Sequence, residues 1–570
     1  MKIQDKNMLY YGDNLEVMRK KIPDESVDLC YIDPPFNSKR SYNQIYLNVG
    51  EDKAQAQAFI DTWSWDRLSE HGYQEIILNQ GGRFTRQTIE LVRGLKNVLG
   101  ENSLLAYIVS ITLRIVEIQR ILKPAGSFYL HCDPACSHYL KLILDTVFCP
   151  KGGDFLNEIS WKRTSSHNRA KRWGPVHDVI FYYAKSNKTI WNRVLQDLDE
   201  NYVKSFYRYT DSKGSYRIDN LTGPGTRTGD SGKMWKNIDP ASRGRHWELP
   251  PDRALPPWFV FPEKYAQMKV QDRLDVLEAQ GLIYFPKKKD GVPGFKRYLS
   301  ENSGSSIQDM ITDIRPVTSQ GAERLGYPTQ KPEALLERII KASSNEGDTI
   351  LDAYCGCGTT VAVAERLKRK WIGIDITYQS ISLILKRLED SFGKKVLKKI
   401  MLDGIPKDMD SARALAEKKD DRLRKEFEKW ALLTYTNNRA VVNDKKGADK
   451  GIDGIAYFLT SPKDTGKAVF QVKSGSVKRD IIAALNNDRQ REKAEIAFLL
   501  TLNPPTKPMK EEAVSAGTYH HPMMGRDYDR INIVTVEEII ENRKRFEMPA
   551  GIDVVKKAPK KSGEEQPQLA

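Results

Sequence analysis

Residues 350–376 read ILDAYCGCGTTVAVAERLKRKWIGIDI, and their pattern decides the fold. A short apolar run ends in Asp352, a turn holds Gly356 and Gly358, a helical stretch VAVAERLK follows, and a second apolar run closes on Asp375. Strand, turn, helix and strand make one βαβ unit of a parallel sheet. Amides at the start of the helix, near Thr359 and Thr360, point back at the turn, a place that attracts carboxylate or phosphate. Asp375 stands where an acid in this topology takes both hydroxyls of a ribose. A nucleoside with an anionic appendage is indicated. A dinucleotide competes, but its fingerprint wants a small residue where Val361 stands, and a plain strand-to-helix turn without ligand is the bland alternative.

Outward from this unit, the α/β rhythm extends to the N-terminus: MLYYGD, LEVMRK, VDLCYID, then a long helix expected to end at Lys123-Pro124 before the strand SFYLHCD. Residues 31–46, YIDPPFNSKRSYNQIY, carry a strand into an acid, two prolines and an aromatic. Pro34 and Pro35 fix φ and remove two donors, so Asp33 and Phe36 are held at nearly constant separation with carbonyls free to accept. An ordinary strand-ending turn has similar composition. Between 186 and 320 the text becomes polar and Gly-rich, including NLTGPGTRTGDSGKMWKNIDPASRGRHWELP, and is read as an irregular insertion. Charged helical text from about 383 to 430 leads to a second α/β pattern, and the tail from 551 reads as disordered.

The bulk numbers set bounds. A chain of 570 residues is too long for one core, and 90 Lys+Arg against 75 Asp+Glu, a net charge of +15, suits a polyanionic partner. Six cysteines without paired metal-ligand spacing fit a reducing compartment. MKIQDKNM lacks a signal-peptide core, and the greasiest stretch, SLLAYIVSITLRIVEIQRIL, is broken by Arg114, Glu117 and Arg120, so no membrane partner is expected.

Both the Asp33-Pro-Pro-Phe36 loop and the glycine turn follow parallel strands, whose carboxyl ends are where such sheets bind ligands, so the two can share one cleft. With GDNLEVM, LKPAGSFYLHCDPACSHYLKLILD, HDVIFYYAKS and YPTQKPEALLERII in order beside them, the chain resembles the permuted (beta-class) amino-group DNA methyltransferases that use S-adenosylmethionine, over roughly residues 7–390. The resemblance implies a Rossmann-like methyltransferase sheet with an inserted target-recognition region: 1–185 the catalytic half, 186–320 the insertion, 321–400 the cofactor half. It implies that Tyr354, Gly356 and Gly358 form the methionine side of the pocket with Asp352 and Thr359, that Asp375 takes the ribose, that Asp13 lies near the adenine, and that Thr329 and Lys331 contribute to cofactor binding. Ala353-Tyr354 and Cys357 stand where the family more often has Pro-Phe and Ser.

An exocyclic amine is a poor nucleophile because its lone pair is delocalised into the ring. If the Asp33 carboxylate and the Pro34 carbonyl accept its two hydrogens, the nitrogen is drawn toward tetrahedral geometry and aimed at the methyl donor. Phe36 stacks on a base turned out of the duplex. None of the six cysteines has the Pro-Cys context of methylation at ring carbon. Asp at the first position leans toward adenine N6 rather than cytosine N4. In WKRTSSHNRAKRWGPVHD, Lys162, Arg163, Arg169 and Arg172 among Trp161 and Trp173 suit phosphates and a stacked base, although a solvated basic loop would look similar.

Residues 401–550 form the second domain. GIDGIAYFL and KAVFQVKSG, joined by a Pro/Gly turn, bring Asp453, Gln471 and Lys473 to one end of a hairpin, a metal-and-lysine constellation for phosphodiester cleavage with Mg2+. With KEFEKWALL and AFLLTLNPPTKPMKEEA the segment resembles the Mrr-like branch of the PD-(D/E)xK nucleases, an α/β restriction-endonuclease-like fold, with Gln471 where many relatives carry an acid. Glu426 or Glu428 is read as supplying the missing charge. The expectation is thus a site-specific methyltransferase for double-stranded DNA in a prokaryotic or phage restriction-modification system, working in the cytoplasm at the nucleoid as a homodimer or a system subunit. A primarily nucleolytic protein and a catalytically dead DNA-binding module are the alternatives.

Overall fold

A computed structural model describes residues 6–36, 40–45, 55–61, 63–164, 171–287, 291–299, 304–318, 321–417, 421–443, 451–461, 464–548, 551–552 and 557–559. The chain divides into two compact units, one of Met1–Asn192 with Gln308–Ala570 and the other of Arg193–Ile307.

Among the described residues the first unit holds two large sheets and two two-stranded ones, 40–45 with 55–61 and 518–521 with 526–529. The larger is built from β1 (Asn7–Tyr11), β2 (Val27–Ile32), β3 (Leu122–Cys132), β4 (Asp154–Lys162), β5 (His177–Ala184), β6 (Met310–Ile311), β7 (Thr349–Asp352), β8 (Lys370–Asp375) and β9 (Ile400–Asp403), in spatial order β6-β4-β5-β3-β2-β7-β8-β1-β9. Every neighbouring pair is parallel except the two made by β5. Its central strands are apolar runs rather than alternating ones because both faces are covered; all six residues of β2 are buried. The Asp33 loop and the glycine turn leave adjacent parallel strands, with Leu351 opposite Cys30 in register.

Helix α1 (Asn14–Lys21) is N-capped by Asp13, α2 (Ser103–Ile121) is buried along most of its length, and α3 (Pro134–Phe148) follows β3. The long α2 ends at Ile121, not at Lys123-Pro124. Its last turn is closed by the Leu122 amide on the Ile118 carbonyl, and Leu122 then pairs with Val27, so the proline lies inside the strand. The cofactor half supplies α4 (Glu333–Ser343), α5 (Thr359–Arg366) and α6 (Tyr378–Phe392). Among the described residues no helix is long and apolar enough to cross a membrane.

The C-terminal part of this unit opens with α7 (Asp421–Thr436) and carries a five-stranded sheet, β10 (Ala440–Val442), β11 (Gly454–Leu459), β12 (Thr465–Lys473), β13 (Ile496–Thr501) and β14 (Ile531–Thr535), in that spatial order, antiparallel up to β12 and parallel beyond it. One hydrophobic cluster runs without a break from Leu335, Val361 and Ile384 through Phe427 and Trp430 to Phe470. The tail read as disordered is engaged where it is described: Ile552 donates its amide to the Tyr457 carbonyl at 3.0 Å, and Ala558 is buried, because apolar surface there still has a core to join.

The second unit is not irregular. It contains a four-stranded antiparallel sheet, ordered 283–284, 294–298, 214–220 and 209–211, with helix Val270–Ala279. Short strands of two to seven residues among glycines hid this from the sequence, while the clustered Trp235, Trp247, Phe259 and Phe295 supply the core.

Candidate active site

Asp33 emerges from the end of β2 with its side chain 17% exposed. Its Oδ2 is ion-paired with the Nζ of Lys331, while its Oδ1 is buried and has no hydrogen-bond partner among the described residues. A buried carboxylate oxygen left open is an acceptor awaiting a donor. Phe36 is backed by His131, ring centroids 5.9 Å apart and nearly parallel at 24°. His131 is fully buried and clamped: the Tyr31 hydroxyl meets its Nδ1 at 2.8 Å, Asp178 Oδ2 meets its Nε2 at 3.1 Å, and Trp161 packs edge-on at 5.8 Å. Burial alone would raise the Asp178 pKa. The His131 bond and the charges of His131, Lys331 and Arg163 outweigh that and hold it below the usual carboxylate range.

At the end of β7, Asp352 accepts from the Tyr354 amide at 2.9 Å. Burial, and then the charges of Asp33 and Asp375, push its carboxyl up to about 7 despite the bonds it accepts. Asp352 thus feels the charges of both Asp33 and Asp375, which ties the two motifs to one place. Gly356 and Gly358 take φ of +52° and +73°, and a Cβ on Gly358 would come within 2.8 Å of Ile384. The Gly356 amide donates to Asp375 Oδ2 at 2.9 Å, and the Thr377 amide donates to Oδ1 at 2.9 Å. Burial raises Asp375 to about 6 against those bonds. The Thr377 hydroxyl donates to Oδ1 as well, at 3.1 Å, so of a carboxylate's about four lone-pair positions one remains for a ribose hydroxyl.

Asp13 lies on the same rim. Tyr11 is in register with Asp375, and Asp13 accepts from Leu15 and Glu16 amides and pairs with Arg114 at 3.0 Å. Arg114 also donates to Asn14, which donates to the Ala353 carbonyl at 2.8 Å, tying α1 and α2 to the turn below Tyr354. Thr359 donates to the Lys331 carbonyl at 3.4 Å and accepts from Arg387. Thr329 is exposed. An acid placed for a ribose and a glycine turn with no room for a Cβ at Gly358 fit an adenosylated amino acid.

Lys162 and Arg172 are exposed, and Trp173 is 98% exposed. Arg163 turns inward instead, 3.2 Å from Asp178. Arg169 lies outside the described residues. His131, Asp178, Arg114 and Arg387 escaped sequence reasoning; the first two stand inside SFYLHCD and HDVIFYYA, where an ionisable residue within a buried strand was the available signal.

In the C-terminal sheet, Asp453 immediately precedes β11 and accepts from the Val472 amide at 2.7 Å. Gln471 and Lys473 share one face of β12 by strand alternation, and the antiparallel register sets Asp453 opposite Gln471. The Gln471 amide donates to the Gly451 carbonyl at 2.7 Å, and its Oε1 is buried without a hydrogen-bond partner among the described residues. Burial, then the charge of Asp453, pushes Glu428 up to about 7, with Lys425 and Lys473 opposing. Among the described residues no group of three His, Cys, Asp or Glu is placed to hold a metal. The oxygen set is instead two carboxylates and an open carboxamide, which suits Mg2+. Glu426 belongs elsewhere: its Oε2 accepts from the Tyr378 amide at 2.8 Å and faces the Tyr11 hydroxyl at 3.5 Å.

Comparison with known proteins places two families on the chain. A DNA methylase family matches residues 27–386, and a restriction endonuclease family matches residues 423–539. The type II methyltransferase M.EcaI of Enterobacter cloacae is 28% identical over 383 residues, 67% of this chain and 69% of that one. The DNA adenine methyltransferase YhdJ of Escherichia coli is 57% identical over 63 residues, 11% of this chain and 21% of that one. Among solved structures, the complex of M1.HpyAVI with its SAM ligand is 13% identical, with a TM-score of 0.30, covering 67% of this chain and 98% of that one.

Proposed function

The chain belongs to the DNA methylase family, and from that premise we propose that it methylates an exocyclic amino group, adenine N6, in double-stranded DNA at a specific sequence within a restriction-modification system. One observation carries the reading: the open Oδ1 of Asp33 sits at the end of β2, beside the glycine turn at the end of the adjacent parallel strand β7.

S-adenosylmethionine supplies, when bound, a methyl group on a sulfonium. Gly356, Gly358, Thr359 and Asp375 would hold it, with Asp13 and Asp352 on the rim. Asp33 Oδ1 and the Pro34 carbonyl accept the two hydrogens of the target NH2, which localises the nitrogen lone pair and aims it. Phe36, backed by His131, stacks on the extruded base. Asp33 takes the proton that the nitrogen sheds on alkylation. Asp at the head of the loop favours adenine, and the homology to an adenine methyltransferase supports the same choice. Exposed Lys162, Arg172 and Trp173 meet the duplex, the cations on phosphates and the indole against bases. The enzyme works where the DNA of a prokaryotic cell lies, in the cytoplasm, as a homodimer or a subunit of its system.

The test is modification-sensitive sequencing of DNA from cells expressing the parent protein or Asp33→Ala. N6-methyladenine at one recurrent motif, present only with the parent, is expected; equal signals from the two would remove the proposal. A second activity rests on the open Gln471 Oε1 beside Asp453, Lys473 and Glu428: Mg2+-dependent DNA cleavage by the C-terminal domain.

A further inference from the structure

Lys331 stands in YPTQKPE, the strap that leads into α4. Its main chain belongs to the cofactor half. The Lys331 carbonyl is held by Thr359, Thr359 by Arg387 at 3.1 Å, and Arg387 in turn by Glu333 at 2.8 Å and the Cys357 carbonyl at 3.1 Å. Its side chain, 10% exposed, crosses to the other half. The ammonium pairs with Asp33 Oδ2 and lies 5.4 Å from the Phe36 ring centroid. Two residues earlier Thr329 adopts φ of +61°. That conformation is strained for a β-branched residue, and it persists where the surroundings over-determine it.

Resting on the methyl-transfer reading, we propose that Lys331 is a positioning residue for the acceptor base and not a ligand of the cofactor. A carboxylate free to rotate presents either oxygen to an incoming amine. With Oδ2 committed to Lys331, only Oδ1 meets the target NH2, and the second hydrogen is left for the Pro34 carbonyl. The same ammonium, by its cation–π contact, steadies the ring that stacks on the base. In the transfer step the N–C bond forms as the C–S bond breaks with its pair going to sulfur. The surplus proton passes from nitrogen to Asp33 Oδ1 and on to water, Lys331 remaining ammonium throughout. One side chain thus couples the geometry of the loop to the segment that lines the cofactor turn.

The test compares parent, Lys331→Arg and Lys331→Met on unmodified genomic DNA, measuring the dissociation constant for S-adenosylmethionine by calorimetry and the single-turnover transfer of labelled methyl. A misplaced reacting group costs on the order of a hundredfold, so Lys331→Met is expected to slow transfer by about that factor while cofactor affinity stays within about threefold. Lys331→Arg, which keeps a cation, recovers at least about tenfold of the loss. Cofactor affinity falling in step with the rate, Arg and Met behaving alike, or a Met variant as fast as the parent would each overturn the inference. Unchanged cofactor binding also reports that the variants fold. A parent protein that transfers no methyl at all defeats the function reading itself, which separates the two failures.

Discussion

Glu426 is the joint between the sheet that carries the glycine turn and the C-terminal domain, and its removal gives a quantitative expectation. Its carboxylate is buried and accepts from the Tyr378 amide at 2.8 Å. That amide opens α6 and has no intrahelical acceptor, since the first turn of any helix leaves its donors unsatisfied. Glu426→Ala therefore strands a buried N–H, at a cost of about 1–3 kcal/mol. The Tyr11 hydroxyl, 3.5 Å away, is at the limit of a hydrogen bond and adds about 1 kcal/mol at most. Burial and then the Glu426 charge keep that phenol protonated. The total is about 1–4 kcal/mol. Glu426→Gln retains an acceptor oxygen and should lose about 1 kcal/mol. Urea denaturation of the full chain measures the difference. Tyr11 directly precedes Gly12 and Asp13, and Tyr378 follows Asp375 by three residues, so calorimetry should also show weaker S-adenosylmethionine binding in Glu426→Ala than in Glu426→Gln. An alanine variant within about 0.5 kcal/mol of the parent, the range of an ordinary surface substitution, or a glutamine variant as damaged as the alanine, would refute the assignment of Glu426 as an acceptor.

Three further outcomes follow from the same geometry. Asp375 titrates at about 6 in the folded chain against 3.8 for an unperturbed aspartate, so its ionisation lowers stability as pH rises between those values, whereas its affinity for ribose hydroxyls rises over the same interval. Cofactor binding should tighten about tenfold from pH 5 to 7.5, a difference of about 1.4 kcal/mol, and Asp375→Asn should flatten the profile; a pH-independent dissociation constant for the parent would contradict this. Gly358→Ala forces a methyl group to 2.8 Å from Ile384 at φ of +73°, while Gly347→Ala has φ of +84° but open space around it. The first should cost at least about 1 kcal/mol more than the second in urea unfolding and should weaken cofactor binding. In the C-terminal domain, Lys473→Ala should abolish Mg2+-dependent cleavage. Because Glu428 holds its proton up to about pH 7, cleavage by the parent should climb through that pH, and Glu428→Gln should remove the climb.

What the sequence disclosed follows from where each residue's partners lie along the chain. Asp33, Asp352 and Asp375 were readable because each ends an apolar run, and the end of a parallel strand is where ligands bind whatever the distant residues do. The side chains that complete the site answer to remote partners: Lys331 reaches Asp33 across 298 positions, Arg114 reaches Asp13 across 101, and Tyr31 reaches His131 across 100. No local periodicity encodes such pairings. The family resemblance puts Lys331 among the cofactor ligands, and its neighbours Tyr327 and Thr359 do border the glycine turn. Only the direction of its side chain, set after the left-handed Thr329, sends it to Asp33. The insertion reads as irregular for a related reason: its core is a cluster of aromatics gathered from 216 to 298, and its strands are too short to show a period.

Helix α7 joins the two domains of this unit. Glu426 and Glu428 are two positions apart, so at 3.6 residues per turn they leave the helix about 200° apart, on opposite faces. One face gives an acceptor to the start of α6, the helix that follows Asp375; the other gives an acid to the neighbourhood of Asp453 and Lys473. Phe427 and Trp430, buried along the same helix, belong to the cluster that runs from Val361 and Ile384 to Phe470. A nuclease merely tethered by a linker would keep its own core and its own first helix. Here the first helix of the C-terminal fold is also a packing surface of the cofactor half, its Glu426 accepting from the first amide of α6 and its Phe427 and Trp430 sharing one cluster with Val361 and Ile384.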